Sequence, residues 1–197
     1  MTQTSNSTQL IIALALIIPV ILALLYIPYV TVIKNKNKVQ EALSSIDVQL
    51  KRRYDLIPNI LAIAQKFMDH ERSLIEDVTK LRTQALENSK KNNNIKEQFD
   101  IDKKISSVMG KLLVSVENYP QLKSDNTMTA AIDNYQDTED HIAAARRFYN
   151  AAVLELNNSV EIFPSSLYAT MMGIKKMPFF EADEAERKPI NASDYLK

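Results

Sequence analysis

The side chains able to carry chemistry are few, and their spacing argues against most of the chemistry they could support. There are two histidines, His70 and His141, and no cysteine. A carboxylate-bridged metal site in a helical bundle uses Glu-x-x-His on paired helices, so that both ligands leave one face. Phe67 stands three residues before His70 and Thr138 three before His141, so that motif is missing. Asp69, Glu71 and Asp140 adjoin the histidines, but sequence neighbours on a helix do not share a face. Both histidines read as surface or boundary residues, with a metal or acid–base role as the competing reading. No nucleophile elbow supports Ser/His/Asp hydrolysis. The lack of cysteine removes disulfides, thiolate ligands and cysteine nucleophiles. Gly110 and Gly173 are the only glycines, too few for a phosphate-cradling loop. No catalytic, cofactor-binding or metal-binding residue is assigned. No cofactor and no enzymatic activity are expected.

Concentrated charge is what remains. Lys51-Arg52-Arg53 and Arg146-Arg147 are the densest clusters, and Lys34, Lys36 and Lys38 alternate just after a long apolar run. A cationic cluster on a helix is either a solvated face paired with acids on nearby turns, or a contact for protein partners or anionic head groups. Arg52 and Arg53 lie about twenty residues past the apolar run, roughly 30 Å along a straight helix. Head-group attraction fades over a Debye length of about 8 Å, so Lys34, Lys36 and Lys38 suit lipid better. Candidate partner contacts are Asp47, Lys51, Arg52, Arg53, Arg146 and Arg147. The chain as a whole is electrically balanced, with Lys+Arg 24 against Asp+Glu 24. Nucleic acid is not an expected partner, because its binding needs a basic surplus to displace counterions.

These residues must be positioned by helices. Leu10 to Val32 is almost wholly apolar, and no charged residue precedes Lys34. A run of roughly 20 or more such residues can cross a bilayer core of about 30 Å as one helix. A cleavable signal would want a basic leading segment and a shorter apolar core; here the cations follow the run, a stop-transfer pattern. Residues 10–33 therefore read as a retained single-pass transmembrane helix after a short extracytoplasmic stretch, 1–9. The lysines after the span place the following domain, 34–189, in the cytoplasm and the N-terminus outside, in the inner membrane. Pro19 and Pro28 inside the span read as tolerated bends.

Beyond the span, apolar residues recur every three or four positions. Val39, Leu43, Ile46, Leu50, Tyr54 and Ile57 form one stripe that could continue the membrane helix. Pro58 reads as a boundary, because the residue before a proline is biased away from the helical region. A second helix starting there has Leu61, Ala64, Phe67 or Met68, Leu74 or Ile75, Val78, Leu81 and Ala85 on its stripe. Asn-rich residues 89–94 read as a turn. A third helix carries Ile95, Phe99, Ile105, Val108, Met109, Leu112 and Val116, closed at Pro120. Ser124 to Thr127 offer capping oxygens for a fourth, running from Ile132 to Phe163 and ended by Pro164. Ser165 to Met172 suits a short helix stopped by Gly173. The Phe179-Phe180 pair reads as core-facing, with an exposed patch as the alternative. Residues 181–187 are helix-prone, and the tail, 190–197, reads as irregular. Four stripes that must cover one another give an all-α fold: a transmembrane helix followed by an elongated antiparallel bundle of about four long helices.

Several blocks resemble the LemA family. Ile46 to Asn59 (IDVQLKRRYDLIPN) is similar to its signature, and His70-Glu71, Glu117 to Lys123 (ENYPQLK), Thr138-Glu139 and Ala144 to Val153 (AARRFYNAAV) follow in family order. Phe163-Pro164 and Phe179 to Ala182, through Arg187 to Pro189, complete the series. Together they cover nearly all of Val39 to Pro189. The resemblance implies one N-terminal membrane helix and an antiparallel helical bundle, with no catalytic residues to carry over and no established molecular function. Some members take part in forming magnetosome membranes, which suggests a scaffold by analogy. Leu43 stands where many members carry tryptophan. The expected function is a membrane-anchored scaffold or adaptor, with protein partners or a second copy on its helix faces. A lipid-contacting or membrane-remodelling module is the alternative, and a carboxylate-based metal protein a further one.

Overall fold

The computed structural model describes residues 6–91 and 95–180, and among these every regular element is helical. Helix α1 (Asn6–Ala64) is followed by a single 3-10 turn (Asp69–Glu71) and α2 (Arg72–Lys91). Then come α3 (Ile95–Val116), the one-turn α4 (Pro120–Lys123), α5 (Asn126–Glu161) and α6 (Ser165–Met171). The expected acidic helix at 181–187 and the irregular tail lie outside the described residues.

The chain forms two compact units. One comprises the residues up to Leu43 together with Asn150–Met177; the other comprises Ser44–Tyr149 and the residues from Pro178 on. Within the first, α1 and α5 run antiparallel. Asn35 Nδ2 donates to Ser159 Oγ at 2.8 Å, and Lys38 Nζ reaches both carboxylate oxygens of Glu155 at 2.9 Å. Advancing along α1 thus means retreating along α5. Val32, Val39 and Ala42 are buried in this unit with Ala152, Val153, Leu156 and Ala169. The tyrosine rings of Tyr29 and Tyr168 meet edge to face, 6.2 Å between centroids. Helix α6 ends as its sequence requires: Gly173 takes φ 66°, a conformation glycine adopts without steric cost. Its N–H donates to Thr170 O and that of Ile174 to Ala169 O, the paired closure of a Schellman motif. Asn157 then holds the chain beyond, donating to Met177 O at 3.0 Å and accepting from Met177 N at 2.9 Å.

In the second unit the apolar stripes behave as their spacing dictates. Ile46, Leu50, Tyr54 and Ile57 of α1 are buried, as are Val78 of α2, Ile105, Met109 and Leu112 of α3, and Tyr135 and Ile142 of α5. Helix α3 runs parallel to α1, since Asp47 meets Gln98 and Arg53 meets Asp102 and Ser106. It runs antiparallel to α5, since Phe99 meets Tyr149 and Asp102 meets Arg146. Asp125 caps α5: its Oδ1 accepts from Thr127 N at 2.8 Å and Met128 N at 2.9 Å. The Met128 and Thr127 amides hold its carboxyl below the usual carboxylate range.

The helix boundary expected at Pro58 does not occur. Helix α1 continues through it to Ala64, and the chain turns over residues 65–71 instead. A proline in a helix interior withholds its N–H from the carbonyl four residues back, a cost of about 3 kcal/mol or more. Here that carbonyl, Tyr54 O, accepts from Arg82 Nε of α2 at 2.7 Å. The later turn contains neither proline nor glycine; it forms where Met68 is buried, with Met68 N donating to Ala64 O and Glu71 N to Met68 O.

Candidate functional site

Chemically, the densest place in the described residues is a cluster of charge inside the second unit. It begins from residues that sit on the apolar stripes although they are polar. Arg53 lies between Leu50 and Ile57 on α1, and Asp102 between Phe99 and Ile105 on α3. Helical spacing points both inward, and they are 0% and 1% exposed. Arg53 Nη2 donates to Asp102 Oδ1, while Nη1 donates to Ser106 Oγ at 2.8 Å and Glu139 Oε1 at 2.9 Å. Arg146 Nη2 of α5 donates to the other oxygen, Asp102 Oδ2. Two guanidinium groups thus share one carboxylate, and Glu139 supplies the second negative charge. A buried cation without such partners would be strongly destabilising, so matched charge is a condition of the burial.

Aromatic groups enclose the cluster. The Arg146 guanidinium lies over the Phe180 ring, 4.3 Å from its centroid, and Phe180 meets Phe99 at 4.6 Å. Phe99 in turn meets Tyr149 edge to face at 5.5 Å, and Tyr149 Oη donates to Pro178 O at 2.9 Å. The segment 178–180 is therefore fastened over the cluster at both its ends. Burial pushes the Tyr149 phenol up to about 12. It also raises Tyr54, against the lowering effect of nearby Arg53, and raises Tyr135 strongly. These phenols, on α1 and α5, stay protonated and neutral beside a charge-balanced core.

The expected contact residues divide. Arg53, expected on a contact face, is instead completely buried; its spacing on the apolar stripe was the signal for this. Arg146 joins the same cluster. Arg52 is exposed and bridges Asp137 at 3.2 Å, and exposed Asp47 accepts from Gln98 at 2.9 Å. Lys51 and Arg147 are exposed. Lys34 and Lys36 are exposed, and Lys38 holds Glu155. Asp102, Glu139 and Ser106 were missed; Asp102 sits three residues from both Phe99 and Ile105 and could have been found from that alone. The Phe179-Phe180 pair splits, with Phe180 buried and Phe179 45% exposed. His70 lies exposed in the 3-10 turn, and exposed His141 has Nε2 3.6 Å from Asp137. Among the described residues no group of three or more His, Asp or Glu is placed to hold a metal.

A model of the LemA family matches residues 42–193, which takes in both arginine clusters and the whole second unit up to Phe180. The chain belongs to the LemA family. Similarity extends to magnetosome protein MamQ 2 of Paramagnetospirillum magneticum, 25% identical over 191 residues, 86% of this chain and 70% of that one. Protein LemA of Metamycoplasma hominis is 23% identical over 169 residues, 82% of this chain and 72% of that one. Magnetosome protein MamQ of Magnetospirillum gryphiswaldense is 24% identical, covering 75% of this chain and 62% of its own. Within the matched region, Ile46 to Asn59 is the stretch of α1 that delivers Arg53 to Asp102 and Tyr54 O to Arg82. Ahead of the matched region, α1 has one stretch long and apolar enough to cross a membrane. Its side chains from Ile11 to Ile27 stand exposed, unlike those of a core helix.

Proposed function

We propose that this LemA-family protein is a single-pass inner-membrane scaffold whose domain lies in the cytoplasm and presents helix faces to protein partners. The observation that carries the reading is α1: an apolar stretch exposed from Ile11 to Ile27, then Lys34 and Lys36 exposed, within one uninterrupted helix. Cations that follow a span and do not precede it favour the cytoplasmic side. The use of charge supports a non-enzymatic role. Arg53, Arg146, Asp102 and Glu139 neutralise one another inside the fold, and burial raises the phenols around them, which stay neutral. Relatives named magnetosome proteins are compatible with a part in organising membranes. Lys51, Arg52 and Arg147, exposed on α1 and α5, are the residues that would meet a partner.

Membrane fractionation with reporter fusions at each terminus tests the anchor and its direction. Alkaline extraction should leave the chain in the pellet, with a C-terminal reporter active only in the cytoplasm. In-cell crosslinking from position 51 or 147 should then capture defined proteins that are lost when both positions are reversed to glutamate. A C-terminal reporter active outside the cytoplasm would overturn the topology.

A further inference from the structure

The first unit carries an apolar surface that the span alone does not account for. At the corner where α5 passes into α6, Phe163 is 79% exposed, Leu167 57% and Met171 76%. Leu167 and Met171 are four residues apart on α6 and share a face. Such a concentration of exposed large side chains marks a surface that meets something apolar.

The depth of this corner is set by its contacts with α1. Pairing of Lys38 with Glu155 and Asn35 with Ser159 runs α5 back along α1 toward the apolar run. The Tyr29–Tyr168 contact then places α6 beside Tyr29. Tyr29 lies five residues before Lys34, about 7 Å deeper along a helix. Val32, inside the apolar run, is already fully buried by this unit, whereas Ile27 is exposed. The protein envelope therefore overlaps the cytoplasmic end of the span by about a turn. A helix face at that level lies at the head-group–acyl boundary, where interfacial helices bury their apolar side about 5–10 Å. Tyrosine is favoured at the same depth, and both Tyr29 and Tyr168 are there. Along α1 from Tyr29 an open hollow of about 680 Å³ passes from Tyr29, Val30 and Ile33 to Lys34, Asn37, Lys38 and Glu41, from apolar to charged along the same axis. Lys175, exposed just after α6, joins Lys34 and Lys36 in offering cations to anionic head groups.

We infer that the α5–α6 corner, through Phe163, Leu167 and Met171, is seated in the interface of the leaflet from which α1 emerges, giving the chain a second membrane contact. The inference rests on the reading that residues 10–33 span the bilayer. The absence of cysteine makes the test direct. Single-cysteine forms of the full chain (L167C, M171C, L22C within the span, and V48C, exposed in the second unit) are labelled with an environment-sensitive fluorophore. They are reconstituted in phosphatidylcholine–phosphatidylglycerol vesicles. A nitroxide lipid with a shallow spin label should quench the 167 and 171 labels at least about two-fold more than the 48 label, with iodide access reduced, as for an interfacial helix. Deep nitroxide lipid should quench the label at 22. If 22 is quenched while 167 and 171 respond like 48, the corner is in water and the inference fails with the span intact. If 22 is not quenched, the span reading fails, and the corner with it. Iodide shielding at 167 and 171 without lipid quenching, as a second copy of the chain would give, also overturns it.

Discussion

Arg82 places its Nε 2.7 Å from the carbonyl oxygen of Tyr54, the acceptor that Pro58 leaves open four residues later. The bond explains how α1 runs through a proline without ending, and it ties α2 to α1 at the same point. Arg82→Ala should lower stability by about 1–3 kcal/mol, the range for leaving a buried acceptor unsatisfied. With Pro58→Ala the residue at 58 regains an N–H for Tyr54 O, and Arg82→Ala should then cost less. A double-mutant cycle read by denaturant unfolding should give a coupling of about 1 kcal/mol. Equal costs in both backgrounds would show that Arg82 does not serve the proline site.

Asp102 holds two arginines with one carboxylate. Asp102→Asn leaves buried Arg53 and partly buried Arg146 short of charge and should cost about 3–5 kcal/mol, the usual penalty for removing one member of a buried pair. Asp47→Asn, at an exposed carboxylate bonded to Gln98, should cost under about 0.5 kcal/mol. Thermal melts of the two variants beside the parent decide this. Replacing Arg53, Asp102, Glu139 and Arg146 together by apolar residues of similar volume should recover much of the loss, since no member of the cluster is then left with its charge unpaired.

The helical stripes were legible because burial enforces their period: Ile46, Leu50, Ile57, Ile105, Met109 and Ile142 are all inside. A cap within Ser124 to Thr127, which the structure assigns to Asp125, and the stop at Gly173 were legible because each depends on one residue and its immediate neighbours. The end of α1 was not. Pro58 is a strong local signal, but its effect is offset by Arg82, distant in sequence, and the true turn follows the burial of Met68. The charge cluster was half legible. Spacing marks Arg53 and Asp102 as inward, yet three consecutive cations at 51–53 read as one exposed contact face. Only tertiary packing divides Arg52, which meets Asp137 at the surface, from Arg53, which meets Asp102 in the core.

Phe179 and Phe180 are adjacent and chemically identical, so their difference isolates what the 178–180 segment does. Phe180 contacts Phe99 and Arg146 and is buried, whereas Phe179 is 45% exposed. Phe180→Ala should cost about 3 kcal/mol or more, from lost burial, ring contacts and the cation–π pair. Phe179→Ala should fall within about 1 kcal/mol of the parent. Limited proteolysis adds a local readout: cleavage after Met177 should accelerate in the first variant and not in the second.

Tyr149 ties the same segment from the other side, and its titration gives a pH prediction with a definite sign. Burial pushes its phenol up to about 12, while the unfolded chain ionises near 10. Between those values the folded state keeps a proton that the unfolded state has released. Stability from this group is complete below about 10 and declines as pH rises toward 12. Tyr54 and Tyr135, also raised by burial, add to the decline in the same direction. Denaturant unfolding at pH about 9 and about 11 should therefore show a loss that Tyr149→Phe reduces but does not abolish. At neutral pH that variant should lose about 1 kcal/mol, through the missing hydrogen bond to Pro178 O. A phenolate absorbance titration checks the origin, because one slow, high-pH component should vanish in Tyr149→Phe. If all phenols of the folded chain ionise together near 10, the enclosure of Tyr149 by Phe99 and Pro178 is not as tight as the structure describes.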